Sequence, residues 1–186
     1  MPALKGFRLV GGTSLALQIG HRLSVDLDFF SDEKKDIARI SDELLQEDGM
    51  TLKSESSYAL FLEYKNVKVD VLNYPYPFIT APLVEDGITL CHTDDIAAMK
   101  LKTIMNRGAK KNFYDIFFLL ERYTLPDMIG KFAEKYKNIE PVALYKNLTY
   151  FEDAEMQDEI VPLRNRSLTW AQVKERLIDE ARKLLL

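Results

Sequence analysis

The chain has 186 residues, 47% hydrophobic and 29% charged, with a formal net charge of −4 and one cysteine, Cys91. That balance excludes a disordered or collagen-like chain, the lone cysteine excludes an internal disulfide framework, and the acidic total argues against a generic cationic coat for nucleic acid. No apolar run is long enough to span a bilayer and no charged-then-apolar leader opens the chain, so a cytoplasmic protein without a membrane partner is expected.

The first stretch that carries chemistry is Phe7 to Phe30, FRLVGGTSLALQIGHRLSVDLDFF. An apolar strand (Phe7, Leu9, Val10) runs into Gly11-Gly12, a helix is predicted over Thr13 to Ile19, Gly20 closes it, and a second strand covers Ser24 to Phe30. Strand side chains alternate, so Asp26 and Asp28 share one face while Val25, Leu27 and Phe29 take the other. Two like charges at i and i+2 repel, and a cation between them relieves the repulsion. Hard oxygen ligands suit Mg²⁺ (or Mn²⁺), and the glycine pair lets backbone N–H groups approach phosphate oxygens at a helix N-terminus. Taken singly, Gly-Gly reads as an ordinary turn and Asp-x-Asp as a solvated strand edge. In the order strand, Gly-Gly-Thr-Ser, helix, acid strand, they read as a metal-nucleotide site.

Ser31-Asp32 then forms a turn and N-cap for a helix from Glu33 to Asp48, with Ile37, Ile40, Leu44 and Leu45 at helical spacing. Strands are predicted over Met50 to Ser54, Tyr58 to Tyr64 and Val67 to Leu72, the last two joined by a tight Lys65-Asn66 turn. In the third, Lys68 and Asp70 lie opposite Val67, Val69 and Val71. Asp70 is either a third carboxylate for a two-metal phosphoryl-transfer site or an exposed acid paired with a neighbouring lysine. The proline-rich Asn73 to Pro82 crosses the surface, where Tyr74, Tyr76 and Phe78 either stack on a base or cover a core edge. Ile88 to Cys91 is a last short strand, and His92, with no partner at metal-ligand spacing, reads as structural.

From Thr93 the hydrophobic period becomes helical. Helices are predicted over Asp95 to Asn106 and Asn112 to Tyr123, the second apolar nearly all round, so that Asp115 inside it needs a partner, and a buried lysine beside it would make a plain structural salt bridge. Between Lys100 and Lys111 stand five basic residues, Lys100, Lys102, Arg107, Lys110 and Lys111, and no acid, a local positive strip in an acidic chain. Further helices are expected over Pro126 to Lys137, Pro141 to Phe151 and Thr169 to Leu186. There Arg164, Arg166 and Lys174 either extend a basic groove or are simply solvated.

The segment GGTSLALQIGHRLSVDLDFF resembles the AbiEii/AbiGii-type nucleotidyltransferase toxins of the DNA polymerase beta-like superfamily, in which GGTxLAL leads to GHRxSxDLDFF. The likeness continues through Met99-Lys100-Leu101 and through Arg107 to Asp115, where the family carries R-x-x-K-K-D-x-x-D and this chain has Asn112 at the first acid. It covers about Phe7 to Arg122.

The resemblance implies an α/β (α+β) nucleotidyltransferase fold. A mixed sheet flanked by helices would form a core over 1–92, with a helical half over 93–186 completing the site. It implies Mg²⁺-dependent transfer of an NMP from an NTP, with Asp26, Asp28 and Asp70 as metal ligands. Gly11, Gly12 and the Thr13 or Ser14 hydroxyl would hold the phosphate tail, Lys100 would contact the triphosphate, and Asp115 would be a catalytic-site acid. Arg22 is either a phosphate contact or an internal partner that keeps Asp26 and Asp28 placed. Characterised relatives imply RNA, the 3′ end of tRNA among its forms, as acceptor, and a cognate antitoxin as partner in a toxin-antitoxin or phage-defence system. Asn112 cannot supply the charge of an acid, which keeps a non-catalytic nucleotide-binding or partner-binding module in view. A nucleotidyltransferase acting on protein would keep the site and change only the acceptor.

Overall fold

A computed structural model describes residues 2–106, 108–140 and 144–184. Arg107 of the basic strip, the Pro141 start of one expected helix and the last two closing leucines lie outside the described residues. The fold is α+β and divides into two compact units, Met1–Ser14 with Ser24–His92, and Leu15–Leu23 with Thr93–Leu186. Leu15–Leu23 therefore groups with the helical part rather than with the strands that flank it in sequence.

The first unit is a mixed seven-stranded sheet in the order β3-β4-β5-β2-β1-β7-β6. The strands are β1 (Arg8–Val10), β2 (Leu27–Ser31), β3 (Met50–Glu55), β4 (Ala59–Tyr64), β5 (Val67–Asn73), β6 (Leu83–Glu85) and β7 (Ile88–Leu90). β2 runs antiparallel to β1 and parallel to β5, which in turn forms an antiparallel hairpin with β4. The β4–β5 turn is tight because Lys65 and Asn66 both take positive φ, 48° and 68°, the combination that matches the twist of a two-residue hairpin. A second hairpin, β6–β7, turns at Asp86-Gly87 with φ of 49° and 77°. That Asp-Gly signal stands in the sequence, but a three-residue strand beside a proline-rich stretch has too little pattern to announce itself.

Alternation decides what the sheet buries. Leu60, Leu62, Val69 and Val71 turn to one face and pack with Phe7 against Ile37, Ile40 and Leu44 of α2 (Ile37–Leu44). Asp28 and Asp70 occupy the other face, in register with each other across β2 and β5. α2 is shorter than the predicted Glu33 to Asp48. Asn73 grips the backbone of Lys35 from both sides, accepting from its N–H and donating to its carbonyl at 2.9 Å each, and Asp36 rather than Asp32 caps the helix. β2 also begins later than expected, at Leu27.

The second unit is helical. It comprises the C-terminal part of α1 (Gly11–Ile19) with α3 (Thr93–Asn106), α4 (Lys110–Leu119), α5 (Leu125–Lys135), α6 (Leu144–Thr149), α7 (Glu152–Glu155) and α8 (Trp170–Lys183). Thr124 and Thr169 begin α5 and α8 with capping boxes completed by Asp127 and Gln172. α4 is buried nearly all round, as its composition demands, and Phe113 and Tyr114 pack on Trp170 at ring separations of 5.8 and 5.9 Å. No helix among the described residues is long and apolar enough to cross a membrane.

The basic strip does not form one face. Lys110 is buried and donates to the Gln157 carbonyl at 2.7 Å and Glu159 at 3.1 Å, Lys100 is buried and paired, and the Lys102 ammonium lies 4.5 Å over the Tyr136 ring. Spacing along a helix fixes direction, whereas which side meets the core is decided by the partners. Arg164 and Lys174 are likewise paired, with Glu121 and Glu155.

Leu60 and Val71 are register partners and fully buried. Leu60→Ala is expected to destabilise the fold by about 2–5 kcal/mol, read as a lower urea midpoint with unchanged slope.

Candidate active site

Within the strand unit, the parallel pairing of β2 with β5 sets Asp28 directly beside Asp70. Asp26 stands one residue before β2, because its carbonyl is taken by the Thr13 hydroxyl rather than by a neighbouring strand. The Thr13 hydroxyl also lies 2.9 Å from that of Ser24. Its side chain thus holds the acid segment, and Ser14 is fully buried. The turn also offers backbone. α1 starts at Gly11 itself, and the first N–H groups of a helix have no partner within it.

Gly11 has φ of +69°, and a Cβ there would meet the Asp28 carboxylate at 2.7 Å. The first glycine is therefore required both by backbone conformation and by the close approach of the acid. Gly12 is the second residue of α1.

Asp70 is held by a lysine. Lys68 Nζ lies 2.5 Å from Asp70 Oδ2, so the neighbouring-lysine pairing is present, on an acid that is buried rather than exposed. Burial pulls the Lys68 ammonium down, but the hydrogen bond and charge of Asp70 and the charges of Asp28 and Asp26 outweigh it and hold its pKa above the usual lysine value. Asp70 Oδ1 is buried and has no partner among the described residues.

That orphaned oxygen tests the fit of a divalent cation. An all-oxygen donor set with one buried lone pair unspent suits Mg²⁺ or Mn²⁺. Among the described residues no three His, Cys, Asp or Glu form a ready-made cage. The donor set fits an ion that completes its shell with water and substrate phosphate, the usual habit of Mg²⁺.

Within the helical unit, Asp115 lies at the centre of a second cluster. Its Oδ1 accepts from Arg22 Nε and His21 Nε2, both at 2.7 Å, and its Oδ2 from Arg22 Nη2 at 2.9 Å and Lys100 Nζ at 2.6 Å. Asp115 and His21 are 0% exposed. Burial alone would raise the Asp115 pKa. The Lys100 charge, the hydrogen bonds of His21 and Arg22 and the Arg22 charge overcome it and hold the carboxyl well below the carboxylate range.

Asp115, expected as a catalytic-site acid, is fully enclosed by His21, Arg22 and Lys100. Arg22 is an internal partner, but of Asp115 rather than of Asp26 and Asp28. Lys100 also donates to Asn112 Oδ1 at 3.2 Å, which leaves its third N–H without a partner among the described residues. His21 escaped the sequence reading because nothing links a lone histidine to an acid 94 positions away. The aromatic loop packs on the sheet, with Tyr74 against Phe30 of β2 at 4.9 Å and Arg8 of β1 over Phe78 at 4.0 Å.

The chain matches the family model described as nucleotidyl transferase AbiEii toxin, type IV TA system, over residues 2–183. It is 34% identical over 177 residues to the uncharacterized protein aq_aa25 of Aquifex aeolicus (strain VF5), covering 91% of this chain and 83% of that one. Two solved structures share the fold. JHP933 from Helicobacter pylori aligns with 98% of this chain and 84% of its own at a TM-score of 0.59 and 19% identity. MenT4, a nucleotidyltransferase toxin from Mycobacterium tuberculosis H37Rv, aligns with 95% and 75% at a TM-score of 0.59 and 15% identity.

Because the Asp115 pKa is lowered on folding, its contribution to stability is complete above the unfolded carboxylate value, 3.8, and is lost as pH falls below it. Asp115→Asn is expected to flatten the acid limb of the stability-pH curve, measured by urea unfolding between pH 6 and pH 2. Asp115→Ala, which strands two buried cations, is expected to cost about 3–5 kcal/mol at neutral pH.

Proposed function

Because this chain belongs to the AbiEii nucleotidyl transferase toxin family and is a nucleotidyltransferase, we propose that it transfers a nucleoside monophosphate from an NTP to RNA. The acceptor is the 3′ end of a tRNA, and the protein acts in the cytoplasm as the toxin of a toxin-antitoxin or phage-defence pair. A cognate antitoxin is its protein partner. The observation that carries the reading is the register of Asp28 with Asp70 on parallel strands, one buried oxygen of Asp70 unspent, directly beside the Gly11 turn.

Asp26, Asp28 and Asp70 hold Mg²⁺ or Mn²⁺, which when bound neutralises charge on the phosphates. The backbone N–H groups of Gly12, Thr13 and Ser14 at the start of α1 take phosphate oxygens, and Gly11 keeps that approach open. In the reaction the acceptor hydroxyl oxygen bonds to the α-phosphorus, the bond to the pyrophosphate oxygen breaks, and the hydroxyl proton is taken up with the help of the Asp70 carboxylate. Lys100, braced by Asp115 and Asn112, supplies a point charge to the triphosphate. Asn112, the residue that speaks for a non-catalytic module, is compatible with this reading, because its amide oxygen accepts from the Lys100 ammonium.

Incubation with Mg²⁺, each labelled NTP in turn and total bacterial RNA is expected to label a tRNA-sized band, lost in Asp26→Ala/Asp28→Ala. Label on protein would transfer the activity to a protein acceptor. Absence of label with NTP binding intact by calorimetry would overturn the transferase assignment. Lys100→Ala is expected to weaken NTP affinity roughly tenfold to a hundredfold, the range for loss of a charge-assisted hydrogen bond. A variant that loses stability but keeps NTP affinity would make Lys100 purely structural.

A further inference from the structure

We propose that Lys68 is a resident counter-ion of the acid cluster, holding Asp70 beside Asp28 until a divalent cation arriving with its nucleotide displaces it. The inference rests on the reading of Asp26, Asp28 and Asp70 as metal ligands and adds the residue that governs when they are loaded.

Lys68 precedes Asp70 by two positions on β5, so both side chains leave the sheet on the face that carries Asp28. Its ammonium sits 2.5 Å from Asp70 Oδ2 and feels the charges of all three acids. A unit positive charge there offsets the repulsion that bringing the carboxylates together creates.

The lysine does so incompletely. It satisfies Oδ2 of Asp70 and leaves the buried Oδ1 bare, whereas a divalent ion carries twice the charge and coordinates several oxygens at once. The two partners also differ in freedom. The Asp70 side chain is 10% exposed and fixed by its strand, while that of Lys68 is 58% exposed on a flexible stem. The lysine is the group that can leave. Glu63 stands opposite it in register on β4, already paired with Lys53 at 3.2 Å, and offers the ammonium a second carboxylate when it swings away.

A bare ion must evict the ammonium without help, and the described residues offer it no complete cage. A nucleotide-bound ion arrives with phosphate oxygens already in its shell, and the phosphates attract the displaced ammonium. Lys68 therefore makes metal loading depend on nucleotide.

The test is Mn²⁺ binding by the full chain, read by electron paramagnetic resonance with and without a non-hydrolysable NTP analogue, on wild type, Lys68→Met and Lys68→Arg. Removing a unit charge beside a divalent site is expected to tighten Mn²⁺ binding without nucleotide by about tenfold or more in Lys68→Met. Lys68→Arg, which keeps the cation, is expected to stay near wild type, and the analogue is expected to narrow the gap between variants. Unchanged or weaker Mn²⁺ affinity in a folded Lys68→Met, confirmed by circular dichroism, overturns the counter-ion role alone. Mn²⁺ binding that is absent even with the analogue, or that survives Asp26→Ala/Asp28→Ala, overturns the metal assignment beneath it.

Discussion

A carboxylate removed from water must be surrounded by donors, and Asp115 imposes that requirement on the whole helical unit. α4 carries it inward because an apolar surface on nearly every side leaves the helix nowhere to go but the interior. The donors come from α3 through Lys100 and from the chain just after α1 through His21 and Arg22. This accounts for the membership of Leu15–Leu23 in the helical unit. The segment is further pinned there by a bridge between Arg22 and Pro162 and by the Leu163 N–H donating to the His21 carbonyl at 2.8 Å. A buried pair is poor evidence of net stability, but an arrangement that separated Asp115 from its cations would strand charges of both signs.

The strand unit faces the reverse problem. Its acids are not starved of partners by burial but set against one another by register, since the pairing that places Leu27, Phe29, Val69 and Val71 on the core face also sets Asp28 beside Asp70. A one-residue slip would separate the acids only by turning those apolar side chains away from α2. The core therefore holds together an arrangement that electrostatics alone would push apart. Gly11 removes the steric obstacle to the Asp28 carboxylate and Lys68 removes part of the electrostatic one.

The elements were legible where a local signal sufficed. The alternation of β4 and β5, the Lys65-Asn66 turn, the Gly20 stop after α1 and the apolar girth of α4 are all local, and each lies within a few residues of its predicted place. Boundaries set by distant groups were not: Asn73 trims α2 from 38 positions away, and Thr13 takes the Asp26 carbonyl that a longer β2 would have paired. At the candidate site, spacing singles out the Gly-Gly turn and the Asp-x-Asp strand and the resemblance adds Lys100 and Asp115, but neither conveys their geometry. No pattern states that Arg22 turns to Asp115 instead of the adjacent acids, or that Lys100 and Lys110 point inward from what reads as a basic strip. Those directions follow from which partner is buried nearby, and that depends on pairings 93 and 47 residues apart.

Asn112 takes on a different meaning once the charges around it are counted. Arg22 and Lys100 bring two cations to one anion, Asp115, so the cluster keeps an excess of one positive charge inside a nearly buried site. An acid at position 112 would cancel that excess, whereas the amide accepts a hydrogen bond from Lys100 without neutralising it. The Lys100 ammonium is thus held in place by two oxygens of which only one is charged, with an N–H still to donate. For a residue assigned to a triphosphate, an orienting partner that leaves the positive field intact serves better than one that quenches it, because attraction to an anion depends on the charge left uncompensated. The substitution that first suggests a lost function is, on electrostatic grounds, compatible with a stronger grip on the substrate.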